Sequence, residues 1–235
     1  MNPHSEPPGI LWGARVRKYR STIQIGAVYC LLLAGGFWHL LGVFQPAMRG
    51  LAGPVILLLG GVIILEYADT ITATRRPVFL VWTVCVLAAG YLVEWIGTHT
   101  GAIFGRYAYG ETLQPMLAGV PVAMSFAWAG MLLASYGVAN WVLGNRMPGW
   151  LLRALITAAA MVVFDLLLEQ VAVSLHYWHW LGDGVPLRNY AAWFLMSFIA
   201  AGFGSRYRAF PAKAPALAKH FYLAQILYFG LVLLK

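Results

Sequence analysis

Charge is scarce in this chain. Of 235 residues only 10% are charged, and Asp and Glu together number eight against sixteen Lys and Arg. A water-surrounded domain of this size cannot cover itself with so little polar surface, and with 61% hydrophobic residues the solvent must be a lipid bilayer. Cysteine is scarcer still. Cys30 and Cys85 sit inside apolar runs, form no CxxC or metal-ligand spacing, and read as small buried side chains without a redox or zinc role. Six histidines without an HxxHH pattern argue against membrane di-iron hydroxylases, ketolases and desaturases. His39, His99, His176 and His179 gather on one side, and the spacing of His176 to His179 would put two imidazoles on one helical face. An interfacial histidine needs no metal, so none is expected. The last apolar stretch holds no lysine between Phe221 and Leu234, which excludes a retinal Schiff base. Residues 1–20 lack an apolar core, so they are not expected to form a cleaved signal peptide.

What is present is a series of apolar runs. A span needs about 20 apolar residues, and seven stretches qualify: 22–44, 51–68, 77–97, 116–140, 150–175, 189–205 and 216–234. The second and sixth are short, which leaves six or eight as alternative counts. Alternate connections differ sharply in Lys and Arg, twelve in one set against Arg49, Arg106, Arg188 and Lys235 in the other. That asymmetry predicts an all-α bundle of seven spans in the cell membrane with a cytoplasmic N-terminus. The net charge of +8 thus serves orientation, and no nucleic-acid partner is expected. Residues 1–21 read as a cytoplasmic tail and 22–235 as a single transmembrane domain, with no internal repeat visible. The break from Thr98 to Pro115 is too apolar for a wet loop and is expected to fold back into the outer membrane face. Tyr177, Trp178 and Trp180 fit an interfacial aromatic belt.

The topology places five of the eight acids in the outer half: Glu94, Glu111, Asp165, Glu169 and Asp183. Glu94 lies about 26 Å beyond Pro77 and Asp165 about 22 Å beyond Trp150 at the rise of an α-helix, so their depths match. Asp165 and Glu169 are four residues apart and share one helix face. An acid near the membrane centre costs about 2.5 to 3.5 kcal/mol on insertion scales, so these side chains should face the bundle or a wet cavity. Two carboxyls one turn apart in a low dielectric favour a neutral acid beside an ionised partner, the arrangement proton donation and return require. An interhelical hydrogen-bond clamp without chemistry is the alternative. Glu66 and Asp69 lie beside Arg75 and Arg76 and read as a salt-bridged helix end.

Two blocks of sequence carry a resemblance. Glu94-Trp95-Ile96-Gly97, Thr100-Gly101-Ala102-Ile103-Phe104-Gly105-Arg106-Tyr107-Ala108-Tyr109 and Gly119-Val120-Pro121 form the first. Phe164-Asp165-Leu166-Leu167-Leu168-Glu169, Trp178-His179-Trp180 and Gly184-Val185-Pro186-Leu187-Arg188-Asn189-Tyr190 with Trp193 form the second. Together they resemble the membrane carotenoid-biosynthesis hydratases, across roughly residues 90 to 195. Gln170 stands where that family often has proline, a departure that bears on helix geometry at Glu169. The resemblance implies addition of water across the terminal isopropylidene double bond of an acyclic carotenoid, with carotenoid, water and membrane lipid as partners. That chemistry needs an acid, a base and a shielded pocket, but neither metal nor redox cofactor. It would make Asp165 the proton donor, with Glu169 or Glu94 as partner and Asn189 and Tyr107 as hydrogen-bond supports. Trp95, Tyr107, Tyr109 and Trp128 would offer aromatic faces to a developing cation, with His99 and Arg106 beside the substrate. A carotenoid cyclase begins with the same protonation, and a proton-coupled transporter or membrane scaffold would use the same carboxyls.

Overall fold

The computed structural model describes residues 8–144, 146 and 149–235, with side chains described from Tyr19 onward. Among the described residues there are seven helices: α1 Pro8–Leu41, α2 Gln45–Thr70, α3 Arg76–Thr100, α4 Val122–Leu143, α5 Trp150–Ala172, α6 Leu187–Arg206 and α7 Ala216–Leu233. Six are long and apolar enough to span a bilayer, α1 from Tyr19 onward among them. The exception is α6, where Arg188, Asn189, Ser197, Ser205 and Arg206 dilute the apolar run, although 20 residues give it about 30 Å of length. The second stretch is no short span, because α2 runs to 26 residues. The chain is a multi-pass integral membrane protein.

Its core is one helix. In α4, 78% of the apolar window is buried, against 22% in α2 and 28% in α3, so α4 sits inside a ring of its neighbours. Its sequence explains the position, since small residues let adjacent backbones approach where no hydrophobic effect drives helices together. A Cβ on Gly130 would stand 3.2 Å from Gly60 Cα of α2, and one on Gly137 would stand 2.4 Å from Ala218 Cβ of α7. Buried donors then tie helix pairs together. Tyr67 Oη of α2 donates to Leu133 O of α4 at 2.7 Å, Tyr222 Oη of α7 to Ala160 O of α5 at 2.8 Å, and Trp82 Nε1 of α3 to Ala200 O of α6 at 2.9 Å.

Several expectations are corrected. The break after α3 is a compact non-helical cap, with Phe104, Tyr107 and Leu113 buried in protein. It carries three short strands, β1 Tyr107–Tyr109, β2 Met116–Leu117 and β3 Val120–Pro121. A fourth, β4 Trp178–Trp180, follows α5 and pairs antiparallel with β1. His176 and His179 therefore share no helical face, one lying in a turn at φ 57° and the other in β4. Cys30 and Cys85 are exposed on the outside of the bundle, not buried. Glu66 and Asp69 are ion-paired, but their partner is Arg20 of α1, at 2.8 and 2.7 Å. Arg76 instead caps the end of α2 through Ala68 O at 3.1 Å.

Candidate active site

The helices that carry Glu94, Asp165 and Glu169, α3 and α5, end on the same side of the bundle, and each feeds a strand of the β1–β4 ribbon. Gly101, at φ 65°, ends α3 in a left-handed turn that other residues adopt at a cost. Glu94, Asp165 and Glu169 are all buried, Asp165 completely. The four-residue spacing on α5 puts both of its acids against one amide: Asn189 Nδ2 of α6 donates to Asp165 Oδ2 at 2.7 Å and makes a longer contact of 3.4 Å to Glu169 Oε1.

The ribbon supplies the other donors. Its register sets Tyr107 opposite Trp180 and Tyr109 opposite Trp178. Side chains two apart in a strand share a face, so two tyrosines and two tryptophans point the same way, toward the acids. Tyr107 Oη and Tyr109 Oη donate to Glu94 Oε2 at 2.5 and 2.6 Å. Trp178 Nε1 and Trp180 Nε1 donate to Glu169 Oε2 at 3.1 and 2.9 Å. Burial, and then the charge of Glu94, holds both phenols above the ordinary tyrosine range, which keeps them neutral donors. A third donor reaches Glu94 from α4, where Trp128 Nε1 lies 2.9 Å from Oε1.

These parts come in duplicate. Gly119-Val120-Pro121 leads into α4 with Trp128 nine residues after the glycine, and Gly184-Val185-Pro186 leads into α6 with Trp193 at the same offset. Pro121 and Pro186 precede the first helical residue with matching backbones, φ −63° and ψ 129° against φ −70° and ψ 145°. Each acid is thus held by the strand after its own helix and by a residue of the next helix: Glu94 by Tyr107, Tyr109 and Trp128, Glu169 by Trp178, Trp180 and Asn189. The duplication hides in sequence because the acid precedes its glycine by 25 residues in one copy and 15 in the other.

Glu94, Glu169, Tyr107, Tyr109, Trp180 and Asn189 line a small cavity together with Phe104, Met124, Trp178 and Trp193. At about 20 Å³ it has room for about one water molecule. A larger apolar cavity of about 160 Å³ lies between α1, α2, α4, α5 and α7, and Met124, Trp178 and Trp193 form walls of both. Asp165 does not line the small cavity. It stands behind Glu169, and its Oδ1 has no hydrogen-bond partner among the described residues.

Seven of the ten residues singled out from the sequence converge here: Glu94, Asp165, Glu169, Tyr107, Tyr109, Trp128 and Asn189. Trp95, His99 and Arg106 do not. Trp95 and His99 are exposed and pair with each other, ring centroids 4.8 Å apart, because they sit on the side of α3 turned away from Glu94. The Arg106 side chain is exposed because it lies next to Tyr107 in an extended segment and so takes the opposite face. Trp178 and Trp180, which composition alone assigns to an interfacial belt, belong to the site. The signal that places them at the acids is the shared alternation of Tyr-Ala-Tyr and Trp-His-Trp, two aromatics on one face of each strand.

Over 114 residues, which are 47% of this chain and 39% of the relative, the sequence is 35% identical to a bisanhydrobacterioruberin hydratase from Haloarcula japonica. The chain spans about two fifths of that relative's length. No solved structure matches it. The carotenoid biosynthesis protein family matches over residues 52–234, a range that takes in all three acids, the ribbon and both Gly-Val-Pro segments, and the chain belongs to that family.

Proposed function

We propose that this chain is a carotenoid hydratase that adds water to the terminal isopropylidene double bond of an acyclic end group. The observation that carries the reading is the junction at Met124, Trp178 and Trp193, where a cavity for about one water, walled by Glu94 and Glu169, meets an apolar cavity. An apolar chain in the larger space brings its end to two carboxyls and a water. The name of the Haloarcula relative supports the same reaction class.

Glu169 serves as the acid. Its Oε2 is taken by two indole donors, whereas among the described residues Oε1 has only the long amide contact, which leaves that oxygen to carry the proton. Asp165, expected from sequence to be the donor, becomes a positioning residue that holds Asn189, and through it Glu169, in place. Proton transfer breaks the alkene π bond, forms a C–H bond at the less substituted carbon and leaves a tertiary cation. The faces of Trp178, Trp193 and Tyr107 favour that cation over a neutral alkene. Water attacks the cation to form the C–O bond, and its surplus proton passes to Glu94. Three donors fix Glu94 in place for that role, two of them phenols that stay neutral. Proton return from Glu94 to Glu169 through the cavity closes the cycle. Metal and redox cofactor have no step in it. A cytoplasmic N-terminal tail over residues 1–21, as the charge distribution argues, puts this site in the outer half of the bilayer.

The test is co-expression in a host that accumulates an acyclic carotene, followed by pigment mass spectrometry. A mass gain of one water is expected. A cyclised product of unchanged mass would make the chain a cyclase, and an unaltered pigment would remove the enzymatic reading.

A further inference from the structure

The apolar cavity is not sealed. Helix α1 packs chiefly on α7, and α2 chiefly on α4, so that α1 and α2 diverge and the cavity lies behind the gap between them. Leu31 and Trp38 of α1 and Leu51 of α2 line it, yet each is also exposed at the bundle surface, by 42%, 40% and 55%. A residue that is both wall and surface marks a mouth. This mouth opens sideways, on helices whose outward faces are apolar and suited to lipid.

The cavity's length is limited. Its lining on α2 runs from Met48 to Gly60, about 18 Å along the axis at the rise of a helix. That is well short of a hydrocarbon core of about 30 Å. At its inner end the walls become those of the carboxylate cavity. There the two copies of the repeat differ: five residues after the glycine stands Met124 in one and Asn189 in the other. Both line the small cavity, but only Met124 also faces the apolar one. The methionine gives an apolar entrance on one side, while Asn189 holds the acids on the other.

We infer that the apolar cavity binds the terminal segment of a long linear polyene, which enters sideways from the bilayer between α1 and α2 and leaves the rest of its length in lipid. Continuity with the carboxylate cavity selects this occupant. An acyl chain of a phospholipid would bring no reactive end to the acids. The choice of a polyene rests on the hydratase reading; the lateral apolar site itself does not.

The full chain in lipid nanodiscs, supplied with an acyclic carotene, tests it. Ala52→Trp on α2 and Ala127→Leu on α4 add bulk at half-buried lining positions, and Val84→Trp does so on the exposed outer face of α3. Bound pigment per protein, read by visible absorbance after repurification, is expected to fall about tenfold or more in the first two and to hold in the third. Equal pigment in all variants, or equal loss in Val84→Trp, overturns the site. If pigment binds the wild type in this pattern but gains no water, the site stands and the hydratase reading falls. If water is added and the two blocked variants bind and react as the wild type does, the reaction stands and the site falls. Should a blocked variant not insert, Ala52→Cys in a Cys30→Ser, Cys85→Ser background probes the same wall. Polyene then slows maleimide labelling of the new thiol, and unslowed labelling overturns the proposal.

Discussion

Trp128 and Trp193 lie face to face, ring centroids 4.0 Å apart and planes 20° from parallel. Each stands nine residues after the glycine of a Gly-Val-Pro triplet, so the stack joins corresponding positions of the two segments. The ribbon pairs in the same sense, with Ala108 opposite His179 at its centre and the aromatic donors arranged evenly about that pair. Glu94 and Glu169 therefore face the cavity as counterparts, one from α3 and one from α5, which suits a reaction with one proton given and another taken.

Neutralising either cavity acid should stop the chemistry while the fold persists. Glu94→Gln and Glu169→Gln are each expected to lower hydration by about a hundredfold or more, the usual scale for a lost acid or base. Product per inserted protein in the carotene-producing host measures it. Full activity in both variants would remove the acids from the mechanism.

Asp165 is expected to act through Asn189. Asp165→Asn and Asn189→Ala should each slow turnover, and the double variant should lose little more than the worse single one, because both break one connection to Glu169. Independent, additive losses would mean that Asp165 reaches the substrate by another route.

The phenols carry a pH signature. Unfolded tyrosine ionises near 10, and burial together with Glu94 holds Tyr107 and Tyr109 above that. Their contribution to stability is constant below pH 10 and is lost as pH rises beyond it, since the unfolded chain ionises first. Tyr107→Phe and Tyr109→Phe should each cost about 1.5 to 3 kcal/mol at neutral pH, for a hydrogen bond to a charged group. The stability gap to the wild type should narrow in alkali. Thermal unfolding in detergent at pH 8 and above 10 checks the sign; a gap that widens would refute it.

Gly97 on α3 tests the cap. A Cβ there would stand 2.8 Å from the Phe104 ring and 3.3 Å from Tyr107 Oη. Gly97→Ala is expected to push Tyr107 off Glu94 and reduce activity about tenfold, the effect of removing one positioned donor. Gly26→Ala, with open space around it, should change nothing.

Much of this was legible in the residues. Apolar run length gave the helices, and the four-residue spacing of Asp165 and Glu169 put both acids on one buried face. Aligned depths for Glu94 and Asp165 brought α3 and α5 to a common end. What hid was long-range pairing. A three-residue strand leaves only two same-face side chains as its signal, too little to tell Trp178 and Trp180 from membrane-belt aromatics. The partner of Glu66 lay 46 residues away in Arg20, beyond the reach of local spacing, while nearby Arg75 and Arg76 offered a simpler match. Trp95 and His99 were placed with Glu94 by motif proximity, but neighbours in sequence diverge around a helix.

The hydrogen-bonded ribbon has one more consequence. Since a single two-stranded unit presents two donors to each carboxyl, a strand shift cannot retune one acid in isolation: it drags the other strand by backbone pairing. Drift toward new end-group chemistry in this lineage should therefore begin on the helices, at positions such as Met124 and Asn189, with the twin aromatic strands held fixed as a shared reference frame.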